Sequence, residues 1–198
     1  RVDEEPTSFR AWSLALADSR RFDDQTQYWA DVLATADPDL GSRPLDEAVD
    51  VAATVRTQSF SLTGEVSTAL LSSVPRAFHG GVDDLLLATF ALALNRWRGG
   101  SGGSAALINV EGHGRESDAV AEPTDLSRTV GWFTSIYPVR VDPGDVAWDD
   151  VLAAGETLAA AVKSVKEQLR AIPDRGIGYG VLRHLAGDPA LSGPPPQI

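Results

Sequence analysis

The chain has 198 residues, 43% of them hydrophobic and 23% charged, a balance that lets it bury an apolar core as one large domain or two small ones. Its formal charge of −11 argues against a nucleic-acid surface and against an anionic membrane, both of which call for clustered Lys and Arg, so a small or protein-tethered substrate fits better. The absence of Cys excludes disulfides, thiolate nucleophiles and Cys-based zinc sites, and His79, His113 and His184 are too widely spaced for a local metal cluster, so no metal is expected.

From Ser8 to about Arg21, the pattern Phe9, Trp12, Leu14, Leu16 predicts an amphipathic helix capped by Thr7 or Ser8. A second helix is predicted from Asp23 or Asp24 to about Thr35, with Tyr28, Trp29 and Val32 on one side. Asp37 to Asp50 is rich in Pro, Gly and Asp and reads as a solvated loop. The imperfect alternation of Val51–Leu62 predicts a strand. Thr63 then caps a short helix through Leu70 and Leu71 that stops before or soon after Pro75.

Val82 to Arg98 is so rich in Leu, Ala and Phe that it predicts a helix buried on nearly every side. It is too short for a membrane span of about 20 apolar residues, bracketed as it is by Asp83, Asp84, Asn95 and Arg96. Residues 99–104 form a mobile surface loop by composition. Strands follow at Ala105–Val110 and Arg128–Val141, and then a long helix over Val146–Ile172, with Leu158, Val162, Val165, Leu169 and Ile172 spaced 4, 3, 4, 3. A glycine-rich turn over Pro173–Gly180, a short helix from about Tyr179 to Leu185 and a Pro-rich end complete the chain. The fold class expected is α/β, a mixed sheet with helices packed on it. The chain has no Met, and Arg1-Val2-Asp3-Glu4-Glu5 matches neither a translation start nor a signal peptide, which predicts excision from a longer polypeptide.

Three segments carry chemistry. In Glu111-Gly112-His113-Gly114-Arg115-Glu116, extended backbone would set Glu111, His113 and Arg115 on one face and bare glycines on the other, where a substrate or another backbone could approach. A nearby guanidinium keeps a carboxylate ionised and burial opposes it, so Glu111 can be poised as a base; a strand-end salt bridge with turn glycines accounts for the same residues. In Arg128-Thr129-Val130-Gly131-Trp132-Phe133-Thr134, Trp132 and Phe133 are expected to fill space on a half-buried strand. Gly176, Gly178 and Gly180 around Tyr179 lack the spacing and the preceding strand of a phosphate cradle and read as a turn entering a helix.

Taken together, EGHGRE (Glu111–Glu116), RTVGWFT (Arg128–Thr134) and GIGYG (Gly176–Gly180), in that order, resemble the epimerization domains of non-ribosomal peptide synthetases, within the condensation-domain superfamily. Pro6-Thr7-Ser8-Phe9-Arg10-Ala11-Trp12, Tyr28-Trp29 and Asp83–Ala88 are similar to further stretches of such domains, so the resemblance covers nearly the whole chain. It implies a fold like chloramphenicol acetyltransferase, of which residues 1–198 would form mainly the C-terminal lobe. The family's HHxxxDG sequence, in the other half, is absent here.

The implied activity is epimerization at the α-carbon of an aminoacyl or peptidyl thioester, without pyridoxal or any other directly bound cofactor. The substrate would ride on the phosphopantetheine of a peptidyl carrier protein, with other synthetase domains in the same polypeptide, in the cytoplasm. Carried over residue by residue, acid/base work falls on Glu111, with Arg115 as a supporting charge, and His113, Trp132 and Tyr179 become substrate-channel candidates. The alternatives are an amide-forming condensation domain and a non-catalytic module that docks a carrier protein.

Overall fold

In the computed structural model, which describes residues 7–99, 102–120 and 124–198, the first helix, α1 (Phe9–Ala17), starts where the sequence predicts. The Ser8 hydroxyl accepts the Ala11 N–H at 3.1 Å, and Trp12 and Leu16 point into the core. A 3₁₀ turn (Asp23–Gln25) leads into α2 (Thr26–Leu33), which buries Trp29 and Val32. Pro6 of the first motif and Gly100-Ser101 of the glycine-rich loop lie outside the described residues.

Val51–Leu62 is not a strand. It holds a 3₁₀ turn (Ala52–Thr54) and then runs extended with all its residues exposed. Alternation creates only the option of a strand, and among the described residues no neighbouring strand accepts its hydrogen bonds. The helical stretch that follows passes Leu70 and Leu71 and stops soon after Pro75, within the bounds predicted. From the Thr63 cap it runs as α3 (Gly64–Thr68), widens into a π turn (Ala69–Ser73) and finishes as α4 (Val74–Ala77). Pro75 is tolerated because it sits in the first turn after the π segment, where its missing N–H costs least.

The long helix α5 (Val82–Trp97) opens with the Asp84 carboxylate accepting the Gly81 N–H at 2.7 Å. It buries Leu85, Ala88, Ala91, Leu92 and Leu94 but leaves Leu86 and Phe90 exposed, so the expectation of burial on nearly every side is corrected: a later helix, α7 (Glu156–Arg170), and the sheet cover one flank only. Among the described residues no single helix is long and apolar enough to cross a membrane.

Strands β1 (Ala106–Gly112) and β2 (Ser135–Val141) pair antiparallel, with Ile108 opposite Val139, Val110 opposite Tyr137 and Glu111 opposite Ile136. Helices α2, α7 and α8 (Ile177–Gly180) pack on β2, and α5 packs on both strands and on α7, giving the α/β layering expected. The predicted strand at Arg128 starts only at Ser135, because the preceding residues turn back to wrap Arg115. The predicted helix over 146–172 is two, α6 (Trp148–Leu152) and α7, separated where Ala154 takes φ 49° and Gly155 becomes the new cap. On α7 the 4, 3, 4, 3 spacing holds: Val162 and Val165 are buried and Leu158 and Leu169 are half-buried against the core.

After the turn at Pro173–Gly176, α8 continues as a π turn (Val181–Leu185). The chain end returns to the sheet, where the Ile198 carbonyl accepts the Asn109 N–H at 2.6 Å.

Candidate active site

The Gly112 end of β1 and the Gly114 that follows lie against Phe133 and Ser135 on one side and Arg175 on the other. Glu111 lies exposed on that strand, and the glycines after it allow close backbone approach. A Cβ on Gly112 would stand 2.9 Å from the Ser135 hydroxyl. Gly114, at φ 65°, lies against the Phe133 carbonyl, where any side chain would collide.

That left-handed step ends the extended run, so the single ionisable face expected for Glu111, His113 and Arg115 does not form. Glu111 and His113 line one cleft of about 370 Å³, together with Asp83, Glu116, Tyr137 and Arg175. Arg115 turns away from it. Its Nη1 donates to the carbonyls of Leu126 and Thr129, each at 2.9 Å, and its guanidinium lies 4.2 Å from the centre of the Phe133 ring. Among the described residues Glu111 has no ion-pair partner, so the strand-end salt bridge is not formed. Arg115 is a fastener of the Leu126–Phe133 turn.

The ion pair at the cleft is one that sequence reasoning missed. Glu116, 6% exposed, holds Arg175 through its Oε2, while His113 Nε2 stands 3.6 Å from its Oε1. Arg175 and Asp174 both adopt positive φ, 50° and 42°, a strained pair of non-glycine residues. The strain is restrained at both: Arg175 by Glu116, Asp174 by Arg21 at 3.1 Å and Gln25 at 2.6 Å. Both members of the Glu116–Arg175 pair stand inside or beside the motifs, but a contact across 59 residues leaves no periodic signal.

Tyr137 forms the floor. Burial pushes its phenol above the ordinary range, and the negative charges of Glu116 and Asp83 push further, so it stays a neutral hydroxyl. Trp132 does not fill space: it is 84% exposed and lines a shallow groove with His113 beyond the cleft, while Phe133 is buried against Phe9 and Trp12 at 5.0 Å from each. Tyr179 is not in the cleft either. It is buried against Trp29 at 5.3 Å, with its hydroxyl 2.7 Å from Arg183, because Gly178 packs α8 against Phe22 and Gln25 and turns Tyr179 inward.

A larger cavity of about 770 Å³ lies between α1 and the residues around Val120, and it holds neither Glu111 nor His113. Among the described residues no three His, Asp or Glu side chains converge as metal ligands would.

Comparison with known proteins decides what this arrangement belongs to. The family model described as "Condensation domain" matches residues 2–191. The chain belongs to the condensation domain family. Two similar relatives are a linear gramicidin synthase from Brevibacillus parabrevis, 42% identical over 182 residues, and surfactin synthase subunit 2 of Bacillus subtilis, 34% identical over 200 residues. These matches take in 90% and 98% of this chain but only 3% and 5% of those proteins. Among solved structures, the condensation-family fold is matched by the epimerization domain from the third module of tyrocidine synthetase B, at TM-score 0.68 and 34% identity. The match covers 93% of this chain and 40% of that one. This condensation-family chain thus spans a small part of the curated relatives and less than half of the solved neighbour.

Proposed function

We propose that this chain supplies one half of the active site for epimerization of an aminoacyl or peptidyl thioester, with Glu111 as a proton-transfer group at the α-carbon. The observation that carries the reading is Glu111 itself: a carboxylate with no ion-pair partner among the described residues, lining the cleft into which the EGHGRE and PDRG segments converge. An epimerization domain among the similar solved structures supports it. A thioester lets the α-carbanion delocalise into an enolate, so positioned acids and bases suffice.

The thioester would be carried on the phosphopantetheine of a carrier protein, with other synthetase domains in the same polypeptide, and a histidine of an HHxxxDG sequence would face Glu111 from the other lobe. This chain by itself is then expected to be inactive, because proximity of the two halves is lost. A second reading, amide formation, is favoured by the family description and by relatives that are peptide synthases.

Solvent deuterium incorporation at the α-carbon of a carrier-bound thioester separates the two. A complete domain carrying this sequence should exchange, and its Glu111→Gln variant should lose about 10²-fold or more of that rate, the usual worth of a positioned acid/base group. Exchange at the parental rate in Glu111→Gln would remove Glu111 from the reaction. New amide without exchange would replace epimerization by condensation.

A further inference from the structure

Two hydrogen-bonding atoms of His113 are set differently. Nδ1 accepts the Arg115 N–H at 3.0 Å, so in the neutral imidazole the proton sits on Nε2. Nε2 in turn stands 3.6 Å from Glu116 Oε1, beyond hydrogen-bond length, and Glu116 is already engaged by Arg175. Among the described residues, then, no acceptor lies within hydrogen-bond distance of the His113 Nε2–H, and its side chain is 68% exposed on the cleft that Glu111 also lines.

The donor is held from behind. The Arg115 N–H that fixes the ring belongs to a residue fastened through its own side chain to the Leu126 and Thr129 carbonyls, and laid against Phe133, which is itself wedged between Phe9 and Trp12. A donor so fixed needs little reorganisation when charge develops in front of it.

We propose that His113 is a second catalytic residue of this cleft, donating its Nε2–H to the thioester carbonyl oxygen while Glu111 takes the α-proton. The inference rests on the epimerization reading. In the step, the Glu111 carboxylate forms an O–H bond with the α-hydrogen and the C–H electron pair becomes the enolate C=C. The carbonyl π pair moves onto oxygen, and that oxyanion is stabilised by Nε2–H, which keeps its proton. Glu111 and His113 stand two residues apart on the cleft wall, and the α-carbon and carbonyl oxygen are separated by a single carbon, so one thioester can meet both. Arg115 enters as a positioning residue through its main chain, not as a charge at the substrate.

Two measurements test this. The first needs no turnover: long-range proton–nitrogen correlation spectra of the ¹⁵N-labelled chain should show neutral His113 as the Nε2–H tautomer, and an Nδ1–H tautomer would overturn the proposal. The second is α-deuteration by a complete domain carrying this sequence. His113→Leu should lose about 10²-fold, as removal of an oxyanion donor does, whereas His113→Gln, whose amide N–H₂ reaches the place of Nε2, should keep most of the rate. Full exchange in His113→Leu beside a dead Glu111→Gln would sink the His113 role and leave epimerization standing. A parent domain that does not exchange would remove epimerization itself, whatever the tautomer.

Discussion

A methyl group added at Gly176 would enter the Tyr137 ring, and it would also have to adopt φ 82°. Gly187 shares the positive φ, 66°, but has open space around its Cβ position. The pair therefore separates packing from backbone freedom. Gly187→Ala should cost about 1 kcal/mol, the conformational part alone, and Gly176→Ala about 2–4 kcal/mol, because a forced displacement of a buried aromatic adds the overpacking cost. Urea denaturation followed by tryptophan fluorescence reads both as a fall in midpoint at constant slope. Equal costs would mean that Tyr137 yields freely, and then the floor of the cleft is not rigid.

At the scale of elements, Asp142 is the clasp between the sheet and α7. Its carboxylate accepts from the Ser104 hydroxyl at 2.7 Å, the Gly144 N–H at 3.0 Å and Arg140 at 2.6 Å, and its main chain exchanges hydrogen bonds with the Gln168 amide at 2.8 and 2.7 Å. Burial alone would raise its pKa, yet Ser104, Gly144 and Arg140 together hold it below the ordinary carboxylate value of 3.8. A carboxylate depressed in the folded state contributes stability that is complete above that value and lost as pH falls through the folded one. Melting experiments between pH 7 and pH 2 should show an acid-side loss that Asp142→Asn reduces, while lowering stability at pH 7. An identical acid limb in the variant would assign the loss to other carboxylates.

The α6–α7 break gives a second test at this scale. Ala154 is exposed and left-handed at φ 49°, so Ala154→Gly should stabilise the chain by about 0.5–1 kcal/mol, against the usual direction of glycine substitutions. A lower melting temperature would show that the break is not strained. This break also marks what the sequence could and could not disclose. The apolar spacing on α7 is one-dimensional information, and it places Val162 and Val165 correctly in the core. The φ reversal at Ala154 carries no hydrophobic signal, so periodicity alone reads straight through it as one helix. Val51–Leu62 misleads for the complementary reason: its alternation is real, but a strand is defined by a neighbour. At the cleft, Glu111 and His113 of EGHGRE line one wall, whereas the period-2 face drawn through Glu111, His113 and Arg115 is broken at Gly114, which takes φ 65°. Likewise the Glu116–Arg175 pair and the inward turn of Tyr179 depend on how distant segments meet, which local spacing does not encode.

Across the whole molecule, two features oppose each other. The net charge of −11 keeps copies apart, while apolar side chains stand uncovered: Leu86 and Phe90 one helical turn apart on α5, Leu71 on the π turn, and Val55, Phe60 and Leu62 along the extended segment, with Phe60 90% exposed. Repulsion between like-charged molecules is screened as the Debye length shrinks from about 30 Å at 0.01 M salt to about 3 Å at 1 M, but apolar attraction is not. The chain should therefore be monodisperse in dilute buffer and grow in light-scattering radius as sodium chloride is raised. Phe60→Ser combined with Phe90→Gln should suppress that growth while shifting stability by no more than about 0.5 kcal/mol per site, because neither side chain belongs to the core. If the double variant associates as readily as the parent, the contacts lie elsewhere on the surface. If the parent stays monomeric at high salt, these side chains are too dispersed to act as a patch.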